Sequence, residues 1–386
     1  MFRDNLKLKN IFLMGFLLSL HVALTTYINS SFLSSFINEK SVGVIYIIGS
    51  IVSILALLII PKIFREMGGY KFLLSVTLLN ALSLLSLTFI KNGWGAIIIF
   101  IFYFALNILI VFSLDEIIKI FSKNSSTGKV RGMYLAVINS AWIISQLASS
   151  KILEKFSFNT VYFISFIIMM AFFLVSFFSL KNTLDPKYDK SKTIKYIKEF
   201  FKNKNLFRSY GINLLLQFFF CWMIIYTPIY LYAHLGFSWR EISIIFAIML
   251  LPFLIVPFPL GKYSDKIGER KMLMLGFTVA SFATLLLFFI QKHEIWVWAL
   301  ILFITRVGAA TIEVMSDVYF FRHIKAENEQ FVEIYRSVSP VAYIISPIIA
   351  FMAFLFIPSF NFIYLILGAI MLYGIYLSST IRKSDI

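Results

Sequence analysis

The stretch IWVWALILFITRVGAATIEVMSDVYFFRHI, residues 295–324, sets Arg306, Glu313 and Asp317 among almost purely apolar neighbours. Successive helical residues turn by about 100°, so in a helix Arg306, Ala310, Glu313 and Asp317 fall on one narrow stripe. Desolvation strengthens a carboxylate's hold on a proton, and a nearby guanidinium weakens it. A Glu313 whose arginine can be exchanged for another ligand would therefore take up and release a proton. A permanent Arg306–Glu313 bridge would only hold structure together, and both readings stay open. Asp317 suits a structural role, pairing Arg270 or Arg336. His21, with Thr25 one turn on, could relay a proton, bond a ligand or simply pack. Tyr103 with Asn107, Asn139 with Gln146, and Asn213 with Gln217 form further polar pairs on single stripes, each suited to a ligand or to an interhelical hydrogen bond.

Other chemistries find no support. The four histidines, His21, His234, His293 and His323, are scattered, with no H-E-x-x-H pair and no G-x-S-x-G turn. The single cysteine, Cys221, excludes a disulfide framework and a cysteine-based metal site. No G-x-x-x-x-G-K-[ST] loop occurs, which argues against ATP-driven work by this chain. No catalytic residue, metal or cofactor is expected.

The elements that must position these residues are membrane helices. The chain is 60% hydrophobic and 14% charged, with a mean hydropathy of +0.87. Apolar runs of about 20 residues, enough to cross a bilayer as helix, centre near Leu20, Ser50, Leu79, Leu109, Asn139, Ile167, Phe220, Ala247, Ala280, Gly308, Tyr343 and Gly368. The expectation is an all-α integral membrane protein of twelve spans, in six-helix halves over 1–180 and 209–386 joined by a polar linker over 181–208. Within the linker, TIKYIKEFF suits an amphipathic helix at the membrane surface or a solvated connection.

The net charge of +16 reflects placement in the membrane rather than nucleic-acid binding. Assigning connections alternately puts 27 of the 35 Lys and Arg on one side and six on the other, with Arg306 and Arg336 inside spans. The positive-inside rule then makes that side, with both termini, cytoplasmic. The N-terminal apolar run continues to about Phe36 without a small-residue cleavage site, so it reads as a retained first span. Abundant Ile, Phe, Lys and Asn suggest an AT-rich bacterial genome, and the expected location is the bacterial plasma membrane.

The halves look duplicated at an offset of about 200 residues. AWIIS at 141–145 recurs as AYIIS at 342–346, Trp94 matches Trp296, and Asp115 matches Asp317. FPLGKYSDKIGERK at 258–271 fills the connection between spans eight and nine. Its Gly261, Asp265, Lys266, Gly268, Arg270 and Lys271 resemble the G-x-x-x-D-[RK]-x-G-x-[RK]-[RK] signature of the major facilitator superfamily. The resemblance implies two six-helix bundles, a ligand cavity lined by spans one, four, seven and ten, and a gating rather than substrate-binding role for this loop. The first-half copy, PKIFREMGGYK at 61–71, keeps Gly68 and Lys71 but has Pro61 and Arg65 where glycine and aspartate belong. Prolines concentrate in the second half, which should therefore bend more.

The reading that follows is a secondary transporter of a small organic solute, proton-coupled, acting as a monomer, with export ranked over uptake because the polar lining is sparse. A sugar or organic-anion uptake carrier, a uniporter, and a transporter-like sensor or scaffold are the alternatives.

Overall fold

The computed structural model describes residues 2–122, 127–181, 193–257, 260, 267–324 and 329–381. Among these the secondary structure is helical. The first compact unit is Met1–Lys190 and the second Ser191–Ile386.

In the first unit, α1 (Phe2–Thr26), a short α2 (Asn29–Ser34), α3 (Val42–Met67), α4 (Gly69–Phe89), α5 (Gly93–Ser122), α6 (Thr127–Lys155) and α7 (Phe158–Leu180) follow one another. Helix α1 packs between α6 and α7, α4 packs on α5 and α7, and α3 lies on α5. The second unit opens with α8 (Thr193–Lys202), then α9 (Lys204–Ile229), α10 (Trp239–Leu250), a single turn α11 (Pro252–Ile255), α12 (Glu269–Leu287) and α13 (Ile295–Arg322). It ends with α14 (Glu329–Arg336), α15 (Val338–Phe354) and α16 (Phe362–Ser379). Its centre is α12, packed on α13 and α16, while α9 runs against α13, α15 and α16.

All twelve apolar centres fall within helices. Ten described segments are long and apolar enough to cross a membrane. The two remaining centres, Asn139 and Ala247, lie in helices with identifiable differences. Helix α6 is more polar, and α10 stops at Leu250 because Pro252 supplies no backbone N–H.

The two units share local geometry as well as order. Gly68 precedes α4 at φ 81°, ψ 151°, and Gly268 precedes α12 at φ 82°, ψ 150°. Positive φ is the region open to glycine, so both loops enter the third span of their half through the same glycine corner. The serine of the AWIIS and AYIIS repeat also has one job. Ser145 Oγ donates to Leu20 O of α1 at 3.0 Å, and Ser346 Oγ donates to Phe218 O of α9 at 3.4 Å. Likewise Asn159 Nδ2 donates to Thr88 O at 2.6 Å and Asn361 Nδ2 to Phe288 O at 3.1 Å. Trp94 and Trp296, 76% and 73% exposed, sit at matching helix starts, where amphipathic rings favour the membrane boundary.

Candidate functional site

In the first unit the polar residues of α1 and α5 meet. Asn107 Nδ2 donates to Tyr103 O at 3.1 Å, leaving its Oδ1 as the acceptor facing His21 Nε2 at 2.9 Å. His21 thus carries its proton on Nε2, and Nδ1 is a buried acceptor with no hydrogen-bond partner among the described residues. Thr25 Oγ1 gives its hydrogen to Val22 O, so Tyr103 OH donates to Thr25 Oγ1 at 2.7 Å. The His21 and Tyr103 rings stand edge to face, 5.9 Å apart. Asn80 of α4 adds a donor to Tyr103 O at 3.4 Å. Two separate pairs expected from the sequence, His21–Thr25 and Tyr103–Asn107, are therefore one network crossing from α1 to α5.

Gln146 is placed differently. Its Nε2 donates to Ala23 O at 3.2 Å, beside Ser149 Oγ on Leu24 O at 3.3 Å, so it ties α6 to the α1 backbone. Asn139 is half-buried on the same helix.

In the second unit Arg306 is 1% exposed, its guanidinium carbon 5.0 Å from the Phe219 ring centroid and 5.4 Å from that of Phe220. Aromatic faces favour a desolvated cation, and α9 provides two at once. Asn213 and the half-buried Gln217 lie on the same helix. Along α13 the expected stripe changes character: Arg306 and Ala310 are buried, Glu313 and Asp317 exposed. The small residues between Arg306 and Glu313 receive a helix. A Cβ on Gly308 would lie 2.5 Å from Ala280 N and 2.6 Å from Gly276 O, both backbone atoms of α12. The room that the sequence left for a ligand or a close helix is taken here by α12.

At the far end of α13, Asp317 Oδ1 accepts from Tyr335 OH at 3.1 Å, and the same hydroxyl reaches Ser316 Oγ at 3.2 Å. The Tyr335 ring stacks on Phe320 at 4.0 Å. The buried carboxylate of Glu269 meets the Arg322 guanidinium in an ion pair that lacks hydrogen-bond alignment. Glu269 occupies a variable position of the motif, so its sequence context gave no signal for this pairing. Of the gating motif, Gly268, Arg270 and Lys271 lie at the start of α12, while Gly261, Asp265 and Lys266 lie outside the described residues. Asp115 belongs to α5, and its side chain is outside the description.

No group of three or more His, Cys, Asp or Glu able to hold a metal occurs among the described residues. No curated protein matches the chain by sequence. The family model for the Major Facilitator Superfamily matches residues 225–384. Solved structures match over nearly the whole chain. The nucleoside transporter NupG is 11% identical, covering 96% of this chain and 97% of its own, with a TM-score of 0.76. The POT family transporter PepTSo is 11% identical, covering 98% of each chain, at a TM-score of 0.79. A bacterial homolog to the human lysosomal transporter Spinster, inward-facing and unoccupied, is 12% identical, covering 98% of this chain and 93% of its own, at 0.69. By the sequence of its second unit this multi-pass membrane protein is similar to the Major Facilitator Superfamily, and over its whole length it shares the fold of solved transporters.

Proposed function

We propose that the chain moves a small organic solute by alternating access, coupled to protons, with export ahead of uptake. It acts as a monomer in a bacterial plasma membrane with both termini cytoplasmic.

The observation that carries this reading is Arg306, 1% exposed at mid-span, with Glu313 two turns along where the same stripe opens. Charge inside a membrane is expensive and concentrates at functional positions. Arg306 stands where the first half has Phe104, and Glu313 where it has Val111, so neither belongs to the duplicated scaffold. An accessible carboxyl on the helix that carries a buried guanidinium suits exchange between a proton and a solute. The His21–Asn107–Tyr103 network offers a second protonatable group in the other unit.

Proton movement into proteoliposomes, read by an internal pH dye against lipophilic cations, sugars and organic anions, tests it. Flux driven by one solute class and reduced at least tenfold in Glu313→Gln is the expected result. Equal flux in the variant would remove Glu313 from coupling. The aromatic faces on Arg306 favour one alternative, an organic-anion carrier anchored at that residue. Under that reading, anions alone are transported, without proton flux.

A further inference from the structure

Helix α8 leaves a face that the protein does not cover, and its neighbours indicate what does. It is joined to α9 through one residue, Asn203, whose side chain accepts from Asn205 N at 3.0 Å and Leu206 N at 3.4 Å. Helix α9 begins a membrane-spanning segment at Lys204. A corner this short holds α8 at the edge of the bilayer.

Around α8, at about 100° per residue, the side chains sort into sectors. Phe200 points into the bundle, wholly buried, its ring centroid 5.7 Å from Phe331 and 6.4 Å from Phe320. Ile197 and Phe201, each 39% exposed, lie about 60° and 100° round from it. Lys198, Lys202 and Lys195 follow at about 160° to 220°, all exposed. Glu199 meets Lys195 at 3.7 Å, leaving Lys198 and Lys202, one turn apart, without an acid partner among the described residues.

The apolar sector continues onto the span. Phe201 packs on Tyr210 at 5.1 Å and on Phe207 at 6.2 Å, and Phe207 is 56% exposed on the second turn of α9. A docked face, an apolar strip level with the hydrocarbon edge and a cationic strip beside it is the order that an interfacial helix needs. We propose that α8 is a binding site for anionic phospholipid, with Ile197 and Phe201 in the acyl boundary and Lys198 and Lys202 on the headgroup phosphate.

The full chain carrying Ile197→Cys takes a nitroxide there selectively, because Cys221 is wholly buried. In bilayers containing phosphatidylglycerol the label should favour oxygen over a water-soluble nickel chelate. In phosphatidylcholine alone, or at high salt, the preference should fall. Native mass spectrometry of the unlabelled protein should show phosphatidylglycerol retained on the order of 30-fold more weakly by Lys198→Gln/Lys202→Gln, with thermal stability unchanged. A label equally open to the chelate in both bilayers would make α8 a solvated linker and overturn the proposal. Equal burial in both, with equal lipid retention by the double variant, would overturn it too.

Discussion

His293 faces two acceptors at once. Its Nδ1 lies 3.1 Å from Leu235 O and its Nε2 3.0 Å from Glu241 Oε1, while its ring stacks on Phe237 at 3.9 Å. A carbonyl and a carboxylate can only accept, so the ring donates to both only when each nitrogen carries a hydrogen. Glu241 also accepts from the Ser238 N–H at 2.7 Å and hydroxyl at 2.8 Å in the capping box that starts α10. Burial pushes its carboxyl up, but the hydrogen bonds from His293 and Ser238 together outweigh this and hold it below the usual carboxylate range. A depressed folded value means stability present above the unfolded carboxyl range, near ~4.3, and lost as pH falls through the folded value. Glu241→Gln keeps the cap and removes the charge, so at pH 7 it should cost about 0.5 kcal/mol at this partly exposed pair. Melting curves should show that difference fading below the carboxyl range; a constant difference would assign the loss to packing. The pairing of Glu241 with His293 was not legible in the sequence. Glu241 and His293 lie 52 positions apart, and no periodicity links two loop ends. His21, Tyr103 and Asn107 were legible, because a polar residue in an apolar helix stands out and 3.6 residues per turn fixes its stripe. Only the contact between α1 and α5 needed coordinates.

At the scale of elements, glycine sets how closely α12 approaches α13. A Cβ on Gly308 would lie 2.6 Å from Gly276 O and 2.5 Å from Ala280 N, and across α12 a Cβ on Gly374 of α16 would lie 2.2 Å from the Phe277 ring. Close backbone approach through small residues is how membrane helices gain van der Waals contact without a hydrophobic driving force. Gly308→Ala should therefore destabilise despite the ~1 kcal/mol that alanine contributes to helix propensity, because overpacking against backbone costs roughly 1–3 kcal/mol. Gly211→Ala is the control, since its Cβ would meet only the Leu377 Cδ2 methyl, at 3.0 Å. Lower melting temperature and yield for the first but not the second is the expected pattern; equal tolerance would mean that α12 can retreat without loss. The repeated AWIIS and AYIIS were visible as letters, whereas their reason, a serine on the backbone of the first span, was not. The Asn159 and Asn361 pair escaped notice because each is one isolated residue at the start of an apolar helix.

At the scale of the whole chain, duplication supplied a shared scaffold and proline then made the halves unequal. In the second unit Pro228 lies inside α9, Pro347 inside α15, and Pro252 separates α10 from α11. Directly after Pro228 the chain widens into a π-helical turn, Tyr230–His234, closed by Gly236 at φ 71°. A missing N–H frees the carbonyl four residues back, and a helix relieved of that bond bends there at little cost. In the first unit Pro61 lies in the last part of α3, which runs unbroken to Met67. Distances between spin labels placed within one unit separate internal bending from rigid movement. Between substrate-free and substrate-loaded protein, pairs spanning the two ends of α9 or α15 should change by several ångströms. Equivalent pairs on α1 or α6 should hold nearly constant. Pro228→Ala restores a hydrogen bond and should shrink the α9 change while leaving α15 as it was. Equal changes in both units, or none after Pro228→Ala relative to wild type, would mean that the prolines shape the resting helices rather than hinge them.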